Sequence, residues 1–127
     1  MPGHQPRVLV IEDDLDIQAL MQNVLEHEGF RVSTASDGQE ALSMRDRPGL
    51  IVLDWMLPGL FGDDLVGRLH TKFPHVPIVV TSGVVELAEN ARRAKAAGYL
   101  PKPFDLDQLR SVVWRALPGK RRPRTIH

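Results

Sequence analysis

The order of apolar segments is the feature that most constrains the fold of this chain. Short apolar runs such as residues 7–11 and 50–53 alternate with longer segments whose apolar residues recur every three or four positions. Continuous short runs are typical of strands buried on both faces, and periodic segments are typical of helices that cover a sheet. The alternation occurs five times and predicts an α/β domain whose parallel sheet is wound right-handed.

The predicted strands are apolar or rich in β-branched residues, and they cover residues 7–11, 30–35, 50–53, 77–81 and 98–101. The first helix ends at Gly29 and has an apolar face that consists of Ile17, Leu20, Met21, Val24 and Leu25. Asp37 is followed three positions later by Glu40, which resembles a capping box. This pair predicts a short second helix that runs through Met44.

Three more helices are predicted from the same periodicity. The third packs through Leu65, Val66, Leu69 and Phe73. The fourth covers residues 86–97 and turns inward mainly Ala88, Ala91 and Ala94. Because alanines bury little apolar area, we expect this helix to be weakly anchored. Asp105 caps the last helix, whose inward residues are Leu106, Leu109, Val113, Ala116 and Leu117.

The length and composition exclude several classes of protein. A chain of 127 residues fits one domain with a hydrophobic core of its own. It contains no cysteine, so disulfides, zinc–thiolate sites and thiol nucleophiles are excluded. No apolar run approaches the length of a membrane span, and residues 1–7 have no apolar signal-peptide core. We therefore expect a cytoplasmic protein without a membrane span.

Charge is distributed unevenly, although the formal net charge is zero. Four basic residues lie in the last eight positions, and without them the body carries about four excess negative charges. We expect residues 1–6 to be a disordered N-terminus and residues 7–117 to be the domain. Residues 118–127 would be a basic tail or the start of a linker.

Polar side chains follow four of the predicted strands where each strand ends. The first strand leads into Glu12, Asp13 and Asp14, and the third ends at Asp54. The fourth ends at Thr81-Ser82-Gly83, and the fifth at Lys102-Pro103. Because sites in open parallel sheets form outside the carboxyl ends of the strands, carboxylates, hydroxyls and an ammonium should meet at one edge.

Crowded carboxylates repel one another unless a cation lies between them. None of the five histidines lies in these loops, and an all-oxygen ligand set suits Mg²⁺ or Mn²⁺ better than zinc. A lysine beside such a cation and a carboxylate suits a phosphoryl group. In this interpretation Asp54 attacks phosphorus while the metal and Lys102 neutralise the phosphoryl oxygens, and Ser82 hydrogen-bonds the attached group.

Four motifs give the sequence a specific resemblance, namely Ile11-Glu12-Asp13-Asp14, Asp54-Trp55-Met56-Leu57-Pro58 with Gly62, Val80-Thr81-Ser82-Gly83, and Lys102-Pro103-Phe104. Their order and spacing resemble the receiver domains of two-component response regulators, the CheY-like superfamily, over about residues 7–117. The resemblance implies a doubly wound, flavodoxin-like parallel sheet of strand order 2-1-3-4-5, with helices on both faces.

The resemblance also implies a role for individual residues. Asp54 would be the phosphoacceptor and a Mg²⁺ ligand, and Asp13 would bind the metal directly. Glu12 would act through water, and the Met56 carbonyl would supply a backbone oxygen. Lys102 would bind the phosphoryl group, and Pro103 would be the cis proline that follows it. Ser82 would be the switch hydroxyl and Tyr99 the switch aromatic. Pro58 and Gly62 would be structural residues of the loop after the third strand.

The implied function is phosphorelay signalling without turnover catalysis. A sensor histidine kinase or histidine phosphotransfer protein would donate the phosphoryl group. The surface formed by the fourth helix, the fifth strand and the last helix would then switch and act on a downstream effector protein or domain. Phosphorylation-dependent dimerisation, the cognate partners, and the choice between a stand-alone regulator and part of a longer protein stay open.

Two local features qualify the resemblance. Thr81 and Ser82 are adjacent hydroxyls, and strand alternation lets only one of them face the site. The position five after Pro77 and the small Gly83 that follows favour Ser82. In the family, the residues two after the acceptor and two after the switch hydroxyl flank the hydrolytic water. Here they are Met56 and Val84, both apolar, so we expect slow self-dephosphorylation.

Three other functions each fit only part of the sequence. A Mg²⁺-dependent phosphatase of the haloacid-dehalogenase type usually carries a second carboxylate two residues after its nucleophile, where this chain has Met56. A receiver-like module that only binds partners would not need the full set of site residues. A DNA-binding function rests on the basic tail alone, and residues after Leu117 are too few for a winged helix or a helix-turn-helix.

Overall fold

Five apolar runs form the predicted parallel sheet. The structure is a computed structural model, and it describes residues 5–83, 89, 92 and 95–119. The strands are β1 (Arg7–Ile11), β2 (Arg31–Ala35), β3 (Leu50–Asp54), β4 (Ile78–Ser82) and β5 (Gly98–Pro101). Neighbouring strands are parallel in the order β2-β1-β3-β4-β5. The fold class and the strand order are therefore confirmed.

Four helices are described in full: α1 (Leu15–His27), α2 (Gly38–Leu42), α3 (Gly62–Lys72) and α4 (Leu106–Ala116). The helix predicted over residues 86–97 falls mostly outside the described residues, and so do its three inward alanines and Val84. Among the described helices, none has the length and apolar character needed to cross a bilayer.

The two faces of the sheet carry separate parts of the core. Side chains alternate along each strand, so that Ile51 and Leu53 pack with α2 and α3, whereas Leu50 and Val52 pack with α1 and α4. Both faces are covered, which explains why β3 and β4 are buried along their whole length. This arrangement leaves the strand ends as the place where polar side chains collect.

Aspartate carboxylates cap the N-termini of three of the four fully described helices, and α3 has no side-chain cap. Asp14 and Asp37 accept hydrogen bonds from backbone N–H groups in the first turns of α1 and α2. The Glu40 carboxylate accepts from the N–H of Ser36 at 2.5 Å rather than from that of Asp37, so the expected capping box is incomplete. A complete capping box joins Asp105 and Gln108 at the start of α4.

Two sequence-based expectations about the helices were wrong in detail. Helix α2 ends at Leu42 and not at Met44, because Ser43 already forms its C-cap. Leu20 is 45% exposed, since α1 meets the core through the narrower stripe of Met21, Val24 and Leu25. Leu117 is buried as expected, but it follows the last turn of α4 as its C-cap.

Candidate functional site

The register of the sheet aligns the candidate residues across neighbouring strands. Val52 pairs with Val79, and two positions later Asp54 pairs with Thr81. On the other side of β3, Ile11 pairs with Leu53, so Glu12 follows β1 beside Asp54. Alternation therefore places Glu12, Asp54 and Thr81 in one row, on the face of the sheet that α1 and α4 cover.

Three carboxylates meet at this edge of the sheet. One ligand oxygen each from Glu12, Asp13 and Asp54 lies within 4.8 Å of the other two. Glu12 is 1% exposed and Asp54 is 5% exposed, whereas Asp13 is open to solvent. Of the four carboxylates that the sequence places at these strand ends, the structure brings these three together, while Asp14 serves as the N-cap of α1.

Lys102 reaches across the sheet from the end of β5 and contacts two of these carboxylates. Its Nζ lies 2.7 Å from Glu12 Oε1 and 3.3 Å from Asp54 Oδ2. The backbone N–H of Lys102 donates to the Ser82 carbonyl at 2.9 Å, which fastens the start of the loop to β4. The peptide bond between Lys102 and Pro103 is cis. These two carboxylate contacts show that the Lys102 ammonium faces the acidic cluster.

Burial and the nearby Glu12 carboxylate raise the pKa of Asp54 from 3.8 to about 6. The Lys102 ammonium and the N–H of Met56, which donates to Asp54 Oδ1 at 3.2 Å, lower that pKa in part. Burial lowers the pKa of Lys102. The hydrogen bond to Glu12 and the negative charges of Asp54 and Glu12 raise this pKa by more, so that it lies above the usual 10.5. A neutral lysine is therefore not expected at neutral pH.

Two backbone contacts shape the loops that carry the cluster. The N–H of Asp14 donates to Glu12 Oε2 at 3.0 Å, and the N–H of Trp55 donates to the Thr81 carbonyl at 2.9 Å. The Trp55 ring is buried and packs near Gly62, whose φ of 61° suits glycine. A Cβ at Gly62 would lie 3.5 Å from that ring. Gly62 thus permits the close turn between β3 and α3.

Sequence reasoning missed Gln18 on α1. Its Nε2 donates to the carbonyl of Glu12 at 2.9 Å, and it lies 3.3 Å from both the Ala35 carbonyl and Ser36 Oγ. Gln18 thereby ties the end of β1 to the end of β2 behind the acidic cluster. No signal in the sequence distinguishes it from a solvated glutamine, because these contacts depend on the packing of α1 against the sheet.

The remaining predicted residues lie around the cluster in different settings. Ser82 is the last residue of β4 and is buried, but the register places Thr81, and not Ser82 as expected, on the face of the sheet that carries Asp54. The Met56 side chain is 55% exposed beside Asp54. Tyr99 lies on β5 and is 54% exposed, so it is not part of the hydrophobic core. Pro58 lies in the loop after β3, next to Gly59 with a φ of 74°.

The donor set fits a small divalent cation. All three clustered side chains offer hard carboxylate oxygens, and Glu12 and Asp54 are buried where repulsion between their charges is least screened by water. Lys102 supplies a single positive charge to two carboxylates, and the third carboxylate is left to solvent. A cluster with this excess of negative charge can hold Mg²⁺ or Mn²⁺.

Comparison with known proteins identifies the class that this fold and site define. Residues 8–114 match the family model of the response regulator receiver domain. The chain therefore belongs to the response regulator receiver domain family, whose members serve two-component signalling.

Several proteins of that family are similar to this chain. Sporulation initiation phosphotransferase F of Bacillus subtilis is 27% identical over 118 residues, which cover 90% of this chain and 95% of that protein. Response regulator MprA of Mycobacterium leprae is 36% identical over 92% of this chain. The chain spans only 53% of MprA, so the activity of that whole protein does not transfer to it directly.

Solved structures give the same result. Chemotaxis response regulator CheY4 of Vibrio cholerae superposes with a TM-score of 0.82 at 27% identity, covering 90% of this chain and 100% of that one. The receiver domain of sensor histidine kinase PA1611 from Pseudomonas aeruginosa superposes with a TM-score of 0.80 at 26% identity, covering 91% and 100%. That receiver domain was solved with a magnesium ion coordinated in its active-site cleft.

Proposed function

We propose that this domain accepts a phosphoryl group on Asp54 from a phosphohistidine donor in a Mg²⁺-dependent reaction. The observation that carries the proposal is the arrangement around Asp54. Its buried carboxylate lies within 4.8 Å of ligand oxygens of Glu12 and Asp13, and 3.3 Å from the Lys102 ammonium. In this setting the Asp54 carboxylate can act as a nucleophile. The Lys102 ammonium and a bound metal ion would neutralise the negative charge of the incoming phosphoryl group.

Each residue of the site has a task in this reaction. Asp13, Glu12, Asp54 and the Met56 carbonyl would hold Mg²⁺, with Glu12 acting through water. When bound, the ion supplies positive charge to the phosphoryl oxygens and orients them. Lys102 supplies a second positive charge, and the Met56 N–H already holds one oxygen of Asp54 in place. An oxygen of Asp54 forms the new bond to phosphorus as the bond from phosphorus to the histidine nitrogen breaks.

Phosphorylation with a small donor tests this proposal directly. Incubation with acetyl phosphate and Mg²⁺ should add one phosphoryl group to the intact protein, as measured by mass spectrometry. Asp54→Asn should abolish the addition, because an amide cannot attack phosphorus. Asp64→Asn is the matched control, since Asp64 is an exposed aspartate outside the cluster, and it should label normally. Labelling of the Asp54→Asn variant at the parent rate would refute the proposal.

The partners proposed for this site are a sensor histidine kinase or histidine phosphotransfer protein as donor and an effector protein or domain as target. The switch would run from Ser82 and Tyr99 to the surface that includes β5 and α4. A cytoplasmic location stays a prediction. We infer no turnover reaction, because the place two residues after Asp54 holds Met56 and not a carboxylate. Hydrolysis of a chromogenic phosphate ester by the purified protein would instead favour the phosphatase alternative.

The phosphorylated form is expected to be long-lived. In this family the residue at the position of Met56 flanks the hydrolytic water, and the Met56 thioether cannot orient that water. Val84, the second residue expected to flank this water, lies outside the described residues. We therefore expect the phosphoryl group to persist for minutes or longer without a phosphatase, and Met56→Asn to shorten its lifetime. Loss of the group within seconds from the parent protein would contradict the expectation.

A further inference from the structure

A buried hydroxyl beside the phosphoacceptor has no hydrogen-bond partner. Thr81 is 0% exposed, and among the buried side-chain nitrogen and oxygen atoms of the described residues its Oγ1 is the one without a partner. Buried hydroxyls are almost always hydrogen-bonded, because a hydroxyl that loses water and gains nothing destabilises the fold. An unpartnered one beside a candidate site therefore calls for an explanation by function.

The sheet register fixes where this hydroxyl lies. Thr81 pairs with Asp54 on β3 and with Leu100 on β5, and alternation directs all three side chains to the same face. Lys102 follows Leu100 by two positions, and its ammonium reaches past β4 to Asp54 and Glu12. Thr81 thus lies between the phosphoacceptor and the strand from which the lysine extends. A valine would fill this position equally well if packing alone mattered.

The oxygens of Asp54 are already engaged in the present state. Oδ1 accepts the N–H of Met56, and Oδ2 faces the Lys102 ammonium. A phosphoryl group on Asp54 would add three strongly accepting oxygens in the space beside Thr81. We propose that the Thr81 hydroxyl donates a hydrogen bond to phosphorylated Asp54 and so acts as a second hydroxyl that senses the phosphoryl group. This inference rests on the function proposed above.

Thr81 and Ser82 would then contact the phosphoryl group from different sides. They are consecutive residues of β4, so their side chains start on opposite faces of the sheet. Ser82 would have to turn toward the group from the far side, whereas Thr81 already lies in the row with Asp54. In this arrangement Thr81 stabilises the phosphorylated state locally, and Ser82 carries the structural switch.

Beryllium fluoride, which with Mg²⁺ forms a stable analogue of a phosphoryl group on a carboxylate, provides the test. Thr81→Val removes the hydroxyl and keeps the shape of the side chain. We expect the untreated variant to melt at or above the temperature of the parent, because an unpartnered polar group has been removed. Its affinity for beryllium fluoride in saturating Mg²⁺ should fall about tenfold, which is the loss expected for a hydrogen bond to a charged group.

Thr81→Ser is the matched control and should restore the affinity, because it keeps the hydroxyl. If Thr81→Val does not fold, Thr81→Ala provides a second hydroxyl-free variant, and its affinity for beryllium fluoride should fall by the same factor. Equal affinity of the parent and the hydroxyl-free variants would overturn the inference and make Thr81 a packing residue. Failure of the parent to bind beryllium fluoride or to label on Asp54 would instead overturn the proposed function itself.

Discussion

The Asp54 carboxyl illustrates how a single residue links stability to chemistry. Its pKa of about 6 lies above the 3.8 of an unperturbed aspartate, because burial and Glu12 disfavour the charged form. Below about pH 4 the group is protonated in both the folded and the unfolded state. As the pH rises through about 4 to 6, the unfolded chain loses its proton first, so the fold becomes less stable. The charged, buried Asp54 carboxylate therefore lowers the stability of the metal-free fold at neutral pH, although Lys102 offsets part of its charge.

Asp54→Asn should stabilise the metal-free protein, since the amide resembles the neutral carboxyl. The gain in the free energy of unfolding over the parent should be small near pH 4 and grow by roughly 2 kcal/mol toward pH 7.5. Urea unfolding of both proteins at the two pH values, in the presence of a chelator, measures the difference. A gain that does not change with pH, or a variant less stable than the parent at pH 7.5, would contradict the assignment of charge strain to Asp54.

His75 shows a different kind of residue-scale strain. Its φ of 68° places a non-glycine residue in the left-handed region, in the turn between α3 and β4. His75→Gly should raise the free energy of unfolding by up to about 1 kcal/mol, because glycine adopts this conformation without steric cost. The matched control is His70→Gly inside α3, which should lower it by about 1 kcal/mol. Equal destabilisation by both substitutions in chemical denaturation would show that the His75 backbone is not strained.

At the scale of elements, α2 depends on a glycine at its first position. A Cβ on Gly38 would lie 2.8 Å from the Leu60 carbonyl oxygen and 3.0 Å from Leu65 Cδ1. Gly38→Ala should therefore destabilise the fold by about 1–3 kcal/mol, since the backbone after β3 would have to move. Gly67 in α3 is the control, because a Cβ there meets nothing within 4 Å and Gly67→Ala should be stabilising by about 0.5–1 kcal/mol. Thermal unfolding of both variants checks the contrast.

The elements also show what the sequence could predict and why. The strands were predictable because short continuous apolar runs between periodic segments leave few alternatives, and the strand ends then placed Asp54 and Lys102 at the same edge of the sheet. The exposure of Leu20 and the hydrogen bond between Glu40 and the N–H of Ser36 were not predictable, because both depend on how α1 and α2 pack against the sheet. The role of Gln18 and the lack of a partner for Thr81 Oγ1 likewise arise from tertiary packing.

At the scale of the whole molecule, the sheet brings charge from distant parts of the sequence to one edge. Glu12 and Lys102 are 90 residues apart in the chain and form a 2.7 Å ion pair there. Removing Lys102 would leave the buried Glu12 charge uncompensated, whereas removing Glu12 would leave the partly buried Lys102 ammonium with Asp54 as its partner. The folded domain therefore has a preassembled site whose remaining negative charge favours a bound cation.

Mg²⁺ should stabilise the folded protein as a whole. A ligand that binds only the native state raises the free energy of unfolding by about 2.7 kcal/mol at a concentration 100 times its dissociation constant. The melting temperature should thus increase with Mg²⁺, and the increase should be much smaller for Asp13→Asn. The same increase with an equivalent ionic strength of NaCl would mean that the effect is general screening and not binding at the cluster.

A Mg²⁺ titration followed by Trp55 fluorescence tests the central claim most directly. The chain has two tryptophans, so Trp114→Phe leaves the buried Trp55, next to Asp54, as the single reporter. We predict a saturable change with one binding site, weakened at least about tenfold by Asp13→Asn and unaffected by Asp64→Asn. No saturable response, or equal affinity of the Asp13→Asn variant and its parent, would contradict a shared metal site formed by Glu12, Asp13 and Asp54.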